Sequence, residues 1–306
     1  GWGSYGRNSI SHKVSAVDLL DIKTMAKRRN NMQWFKLPPK VYFEENSVMY
    51  LTEMDNVERV MIVCDPGMVN IGYTDIVEQV LRRRENQPQI KVFNEVEPNP
   101  STHTVYKGLE MFINFQPNTI IALGGGSAMD AAKAIWMFFE HPETSFFGAK
   151  QKFLDIRKRT YKITKPKNAK FICIPTTSGT GSEVTPFAVI TDSETHVKYP
   201  LADYALTPDI AIVDPQFVLS VPKDVAADTG MDVLTHAIES YVSVMASDYT
   251  RGLSLQAIKL TFDYLKSSVQ ENDKHSREKM HNASTMAGMA FANAFLGISH
   301  SIAHKI

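Results

Sequence analysis

TIIALGGGSAMDAAKAIWMFFE (119–140) is the stretch on which the fold turns. Its first residues, through Leu123, form an apolar run without alternation, which reads as a strand buried on both faces. Three glycines follow, and AMDAAKAIWMFFE (128–140) then carries apolar residues at helical spacing among helix-forming alanines. A strand that runs through glycines into a helix is the repeating unit of a parallel sheet covered by helices. The same alternation extends outward on both sides. RVMIVCD (59–65) and IKVFNEV (90–96) read as strands, and KFICIPTTSGTGS (170–182) reads as a strand that enters a Ser/Thr/Gly loop. GYTDIVEQVLRRRE (72–85) places Ile76, Val77, Val80 and Leu81 at helical spacing. STHTVYKGLEMFINF (101–115) reads as a helix that Ser101 caps. Residues 37–214 are therefore expected to form an α/β domain with a parallel sheet and flanking helices.

From about Pro215 the strand pattern stops. DVAADTGMDVLTHAIESYVSVMA, TRGLSLQAIKLTFDYLKSSVQ and SREKMHNASTMAGMAFANAFLGISHSIAHK all read as helices, so residues 215–306 are expected to form an all-helical domain. The small residues of ASTMAGMAFANA (283–294) predict closely packed helices. Residues 1–36 differ from the rest. GWGSYGRNSIS is rich in Gly, Ser and Asn and is followed by a basic stretch from Lys23 to Arg29, the composition of a linker or tail. A solvated connector and an arm that docks on a partner chain both fit it.

Lys+Arg and Asp+Glu each total 33, so nothing in the charge balance argues for nucleic acid or an anionic membrane surface as partner. No apolar run is long enough to span a bilayer, and the first residues lack the apolar core of a secretory signal. Cys64 and Cys173 fall inside apolar strands and read as free thiols of a reducing, cytoplasmic compartment, with a disulfide as the alternative.

Two loops carry the chemistry of a nucleotide site. In LGGGSAMDAAK (123–133), Gly124, Gly125 and Gly126 let the backbone approach a phosphate, Ser127 adds a hydroxyl, and the next helix offers free N–H groups. This is not the G-x-G-x-x-G fingerprint, and a glycine turn alone is often only a turn. In PTTSGTGSE (175–183), Thr176, Thr177 and Thr180 supply hydroxyls at the carboxyl end of a strand, where open α/β sheets bind ligands. Asp65 ends another strand, where an acidic residue accepts hydrogen bonds from a ribose. Taken singly, it reads as a turn former before Pro66-Gly67. Metal-ligand chemistry lies further on. Asp232 and His236 are four apart, as are His300 and His304, so each pair shares a helix face. One such pair reads as chance or as a satisfied core pair. Two of them beside a nucleotide domain favour a site for Fe(II) or Zn(II).

GGGSAMDAAKA, VEPNPS, PTTSGTGSEVTPFAVI, ADTGMDVLTHAIESYVS and LGISHSIAHK together resemble the iron-dependent (group III) alcohol dehydrogenase family, in the family's order from Leu37 onward. GWGSYGRNS with DIKTMAKRRNNMQWFKLPPKVYFE is similar to the junction of bifunctional aldehyde–alcohol dehydrogenases, where the tail of the aldehyde dehydrogenase half enters the alcohol dehydrogenase half. The resemblance implies three metal ligands, Asp232, His236 and His300, and places His304 near the nicotinamide and substrate as the catalytic residue. It implies NAD(H) contacts from Asp65, Asn99, Gly124, Gly125, Gly126, Ser127, Thr176, Thr177 and Thr180, and from Asp130 and Lys198 along the cleft. Asp65 implies NAD rather than NADP, because a carboxylate repels a 2′-phosphate. The family's fourth ligand is a histidine after HSIAHK, and the sequence ends at Ile306, so the helical metal-binding domain is expected to be truncated. The implied activity is fermentative reduction of acetaldehyde or another short aldehyde by NADH, with a proton relay through His304 or the ribose hydroxyl. Two rival readings stand beside it. One is a module for self-association, as a dimer or as the helical filaments called spirosomes. The other is a Zn-dependent relative such as a glycerol dehydrogenase.

Overall fold

The computed structural model describes residues 34–143 and 168–303. Strands β1 (Lys40–Phe43), β2 (Arg59–Val63), β3 (Gln89–Phe93), β4 (Thr119–Gly124) and β5 (Lys170–Pro175) are followed by β6 (Phe187–Thr191), β7 (Lys198–Ala202) and β8 (Ile210–Val213). Six of them form one all-parallel sheet in the order β1-β8-β5-β4-β2-β3, and β6 and β7 pair apart from it as an antiparallel hairpin. Helices α1 (Pro66–Asn70), α2 (Tyr73–Leu81), α3 (Thr102–Phe115) and α4 (Gly126–Glu140) lie between the strands. After β8 only helices remain: α5 (Lys223–Val242), α6 (Asp248–Gln270), α7 (Lys274–Ala294) and α8 (Ile298–Ala303), apart from a short 3-10 turn at Pro215–Val218.

The unbroken apolar strands are buried on both faces, as their composition requires. In β4, Ile120 and Ala122 join a core with Phe112, Trp136 and Phe171, while Ile121 and Leu123 join the opposite core with Leu51, Val77 and Leu81. α3 and α4 cover the first face and α2 the second. Each fully buried Ile or Leu contributes about 1.5–3 kcal/mol, so β4 fixes the middle of the sheet. The helical part packs through small residues, with Ala237, Ala257, Ala283 and Ala287 around Val233. That is the close approach which ASTMAGMAFANA predicts.

Several expectations shift. Helix 72–85 is shorter and ends at Leu81, and α4 begins at Gly126 rather than at 128. β1, β8 and the β6–β7 hairpin carry no clear signal in the sequence. The last helical stretch, read as continuous, breaks after Ala294, where Phe295 has φ 64° before α8 starts at Ile298. Most of the linker, residues 1–33, lies outside the described residues. Its end docks on the chain's own helical part, where the Lys36 N–H donates to Asn293 Oδ1 at 2.8 Å and Asn293 Nδ2 donates to the Lys36 carbonyl at 3.0 Å.

One buried cation ties α4 to the segment after β5. Lys133 is fully buried, and its Nζ donates to the carbonyls of Ser182 (2.7 Å), Thr185 (2.9 Å) and Phe187 (2.8 Å) and to the Ser182 hydroxyl (2.8 Å). Asp130, one turn earlier, accepts from Ser182 Oγ and from the Val189 N–H, both at 2.9 Å. Burial pushes Lys133 below the ordinary lysine range, and the Asp130 carboxylate opposes that shift. We expect Lys133→Met, which strands the carbonyls and the carboxylate, to cost about 3–5 kcal/mol. Urea unfolding followed through Trp136, packed at 4.7 Å on Phe171, measures it.

Candidate metal centre and cofactor crevice

The strand order reverses at β2. The chain passes from β2 outward to β3, then returns to β4 on the other side of β2 and continues to β5 and β8. Ligands of open α/β sheets bind outside the carboxyl ends of the strands at such a reversal. Asp65 follows β2 there, and the triple glycine closes β4 beside it. Asp65 Oδ1 accepts from the Gly67 N–H at 2.8 Å and caps α1, so the turn-forming reading is met. Its Oδ2 lies 3.5 Å from where a Cβ on Gly124 would stand. Gly124 has φ 153°, and a Cβ there would fall 2.6 Å from Ala128 Cβ, so this turn needs glycine. α4 then starts without a side-chain cap, which leaves its first N–H groups and positive dipole end facing the crevice.

The two sequence loops meet here. A Cβ on Gly125 would lie 3.3 Å from Thr177 Oγ1, and one on Gly126 would lie 2.8 Å from Thr180 Cγ2. Thr176 is buried, with its N–H on the Gly124 carbonyl at 3.0 Å, whereas Thr177 and Thr180 are half-exposed. The EPNPS loop joins them, since the Asn99 N–H donates to Ser127 Oγ at 3.2 Å. Thr191 of β6 in turn donates to the Asn99 and Pro100 carbonyls. Lys198 pairs across the hairpin with Thr191 and is exposed. Asp130 sits on the same helix, yet both of its oxygens are taken by Ser182 and Val189, so the structure makes it a support of the loop.

The same loop reaches the helical part. A Cβ on Gly179 would fall 2.7 Å from Thr229 Cβ on α5, one turn before Asp232, and Gly181 abuts Gly288 of α7. Asp232 and His236 project from one face of α5, and α8 folds back to set His300 against them. Asp232 Oδ1 stands 3.7 Å from His236 Nε2 and 3.3 Å from His300 Nε2. The two imidazoles stack with centroids 4.4 Å apart. All three donor atoms lie within 4.8 Å of one another, the one such cluster among the described residues.

A carboxylate with two imidazoles suits a divalent first-row metal. The spacings are near the edge of about 3.4 Å that four ligands at about 2.1 Å impose. Burial pushes His236 down to about 4, against the pull of Asp232, so its ring is neutral at pH 7 and its lone pair is free to coordinate. For His300, burial acts downward but is outweighed by hydrogen bonds to Asp232 and Glu239, and the net direction is up. The donor set therefore fits such an ion. His304 lies outside the described residues.

Glu239 is the residue that the spacing of pairs does not reveal. It is buried on the metal-facing side of α5 and touches the His300 ring. Its signal in the sequence is its place seven residues after Asp232 and three after His236, on the same helix face.

The family model of iron-containing alcohol dehydrogenases matches residues 38–215, and that of the C-terminal part of the Fe-containing alcohol dehydrogenase family matches residues 226–306. This chain belongs to the iron-containing alcohol dehydrogenase family. It is 63% identical over 307 residues to an aldehyde-alcohol dehydrogenase of Streptococcus pneumoniae serotype 4, covering all of this chain and 35% of that protein. It thus spans about a third of the length of such curated relatives. It is 45% identical over 275 residues to an NADPH-dependent butanol dehydrogenase of Clostridium saccharobutylicum, covering 90% of this chain and 68% of that one. The solved iron-containing alcohol dehydrogenase of Thermococcus thioreducens superposes with a TM-score of 0.81 at 33% identity, over 89% of this chain and 70% of its own.

Other titratable groups are buried in the frame of the fold. Cys64 and Cys173 are buried free thiols, and burial pushes Cys64 up to about 12 and Cys173 further in the same direction. Among the described residues no helix is long and apolar enough to cross a membrane. His281 of α7 lies buried beneath the bridging loop, its Nδ1 3.1 Å from Ser178 Oγ.

Burial lowers the His281 pKa from 6.5 to about 3. Between those values the unfolded chain holds a proton that the folded chain does not, so stability rises with pH across this window. It is lost as pH falls from 6.5 toward 3, by up to about 1.4 kcal/mol per pH unit from this one group. His236 acts in the same direction. His281→Asn, which keeps a polar atom opposite Ser178, removes the His281 share of that slope in urea unfolding series run at stepped pH.

Proposed function

We propose that this chain is the alcohol dehydrogenase part of a bifunctional aldehyde–alcohol dehydrogenase, and that it reduces acetaldehyde or another short aldehyde with NADH at an iron site. The observation that carries this reading is the convergence of Asp232, His236 and His300 within 4.8 Å, beside loops that can cradle a dinucleotide. The bound ion supplies Lewis acidity toward the aldehyde oxygen, and the bound dinucleotide supplies the hydride.

The chain's own residues do the remaining work. Asp232, His236 and His300 hold the ion. The N–H groups at the start of α4, Ser127 and the hydroxyls of Thr177 and Thr180 bind the pyrophosphate. Asp65 accepts from the adenosine ribose, and its charge disfavours a 2′-phosphate. An imidazole nitrogen of His304, four residues after His300, delivers the proton that completes the alcohol, alone or through the ribose hydroxyl. The proposal places the enzyme in the cytoplasm, in fermentation, and as a self-associating protein with no nucleic acid or membrane partner. The identity to an aldehyde-alcohol dehydrogenase over the whole of this chain supports the bifunctional parent.

The deciding experiment is anaerobic. Protein loaded with Fe(II) is mixed with NADH and acetaldehyde, and NADH loss is followed beside bound iron. The expected result is acetaldehyde-dependent oxidation, with Asp232→Ala and His236→Ala losing bound iron and activity together. NADH is expected to exceed NADPH, and Asp65→Ser to narrow that preference. Activity that persists in iron-free protein contradicts the proposal.

A further inference from the structure

We infer that Glu239 is a positioning residue for the metal centre: its carboxylate holds α8 and fixes the His300 ring so that Nε2 faces Asp232. The inference rests on the iron-site reading above.

His300 needs an anchor. Among the described residues α8 runs from Ile298 to Ala303 and buries no side chain. Within these residues its start is tied to α5 by hydrogen bonds. The chain reaches it through a turn at Phe295–Gly297 in which Phe295 has φ 64°. Glu239 closes that turn. Its Oε2 accepts from the Gly297 N–H at 2.8 Å, and its Oε1 accepts from the Ser299 N–H at 2.6 Å. The third partner is His300 Nδ1, 2.7 Å from Oε2. An ionised carboxylate only accepts, so Nδ1 donates to Glu239 and Nε2 is turned toward Asp232 Oδ1, 3.3 Å away, where a metal ion would take the place of the Nε2 proton.

Two features give the carboxylate this reach. Asp232, His236 and Glu239 follow one another at i, i+4 and i+7, so one face of α5 supplies two of the proposed ligands and the anchor of the third. Gly297 allows the close approach, since a Cβ there would fall 2.9 Å from Glu239 Oε1. Outer carboxylates that orient a histidine ligand typically change metal affinity about 10- to 100-fold when removed.

All three partners of Glu239 are donors. Glu239→Gln keeps size and removes charge, but its amide must turn a donor toward one of them. The test titrates Co(II), as a spectroscopic probe, into metal-free full-length protein and measures NADH binding separately. For Glu239→Gln we expect Co(II) affinity to fall about 10- to 100-fold, with NADH affinity and the metal-free unfolding midpoint retained. Unchanged Co(II) affinity overturns the inference. So does an equal loss of NADH affinity, which makes Glu239 a general scaffold residue. Should Glu239→Gln not fold, Gly297→Ala keeps every ligand and the carboxylate while forcing them apart. It is expected to weaken Co(II) in the same way, and unchanged affinity there is equally fatal. Failure of the unaltered protein to bind Co(II) removes the metal-site reading itself, and this inference with it.

Discussion

Lys133 has been taken out of water, and oxygen atoms of the segment after β5 replace its hydration. A buried ammonium without such partners would give up its proton or unfold the site. The carbonyls of Ser182, Thr185 and Phe187 must therefore point at one atom of α4, and the backbone between β5 and β6 has to follow. That constraint sets Thr177 and Thr180 against the triple glycine and sets Gly179 and Gly181 against α5 and α7. The crevice, the support of the helix that carries Asp232 and His236, and the hairpin over α4 all depend on where this one cation is satisfied.

What the sequence discloses follows from how locally each feature is determined. β2, β4 and β5 are legible because burial on both faces writes an unbroken apolar run. The hairpin is not, because β6 alternates in burial but not in residue type (FAVIT), and β7 holds Pro200 with exposed positions on either side of Tyr199. β1 is an edge strand with no buried residue, and β8 is only four residues long. The end of α7 is the sharper case. The apolar period runs on past Ala294, and nothing local except Gly297 marks a break. Phe295, at φ 64°, opens the turn whose Gly297 N–H donates to Glu239 of α5, a partner far away in sequence.

The site divides in the same way. Asp232 and His236 are legible as a pair because ligands at i and i+4 must share a face, and the structure keeps them on one face. His300 is legible as a residue type, but its partnership with α5 spans more than sixty positions and comes from the turn before α8. Asp130 is a different case. The resemblance implies a place along the cleft for it, and its oxygens accept from the Ser182 hydroxyl and the Val189 N–H. Residue type and neighbourhood cannot separate a carboxylate that faces a crevice from one that holds the crevice's wall.

The two halves of the proposed chemistry share their supports. The segment that packs against the triple glycine also packs on α5 one turn before Asp232, so the dinucleotide loop and the ligand helix are not free to move independently. Hydride transfer needs reacting atoms about 3–3.5 Å apart, and an error of an ångström between cofactor and metal would be costly. A rigid loop seated on both sides, pinned by Lys133 from behind, is a direct way to hold that separation. Glu239 then extends the same frame to His300, which arrives on α8. Through His300 the ligand set is tied to α5, and through Gly179 α5 is tied to the sheet. The geometry at the centre is thereby referred back to β4 and β5, which are buried except at Lys170.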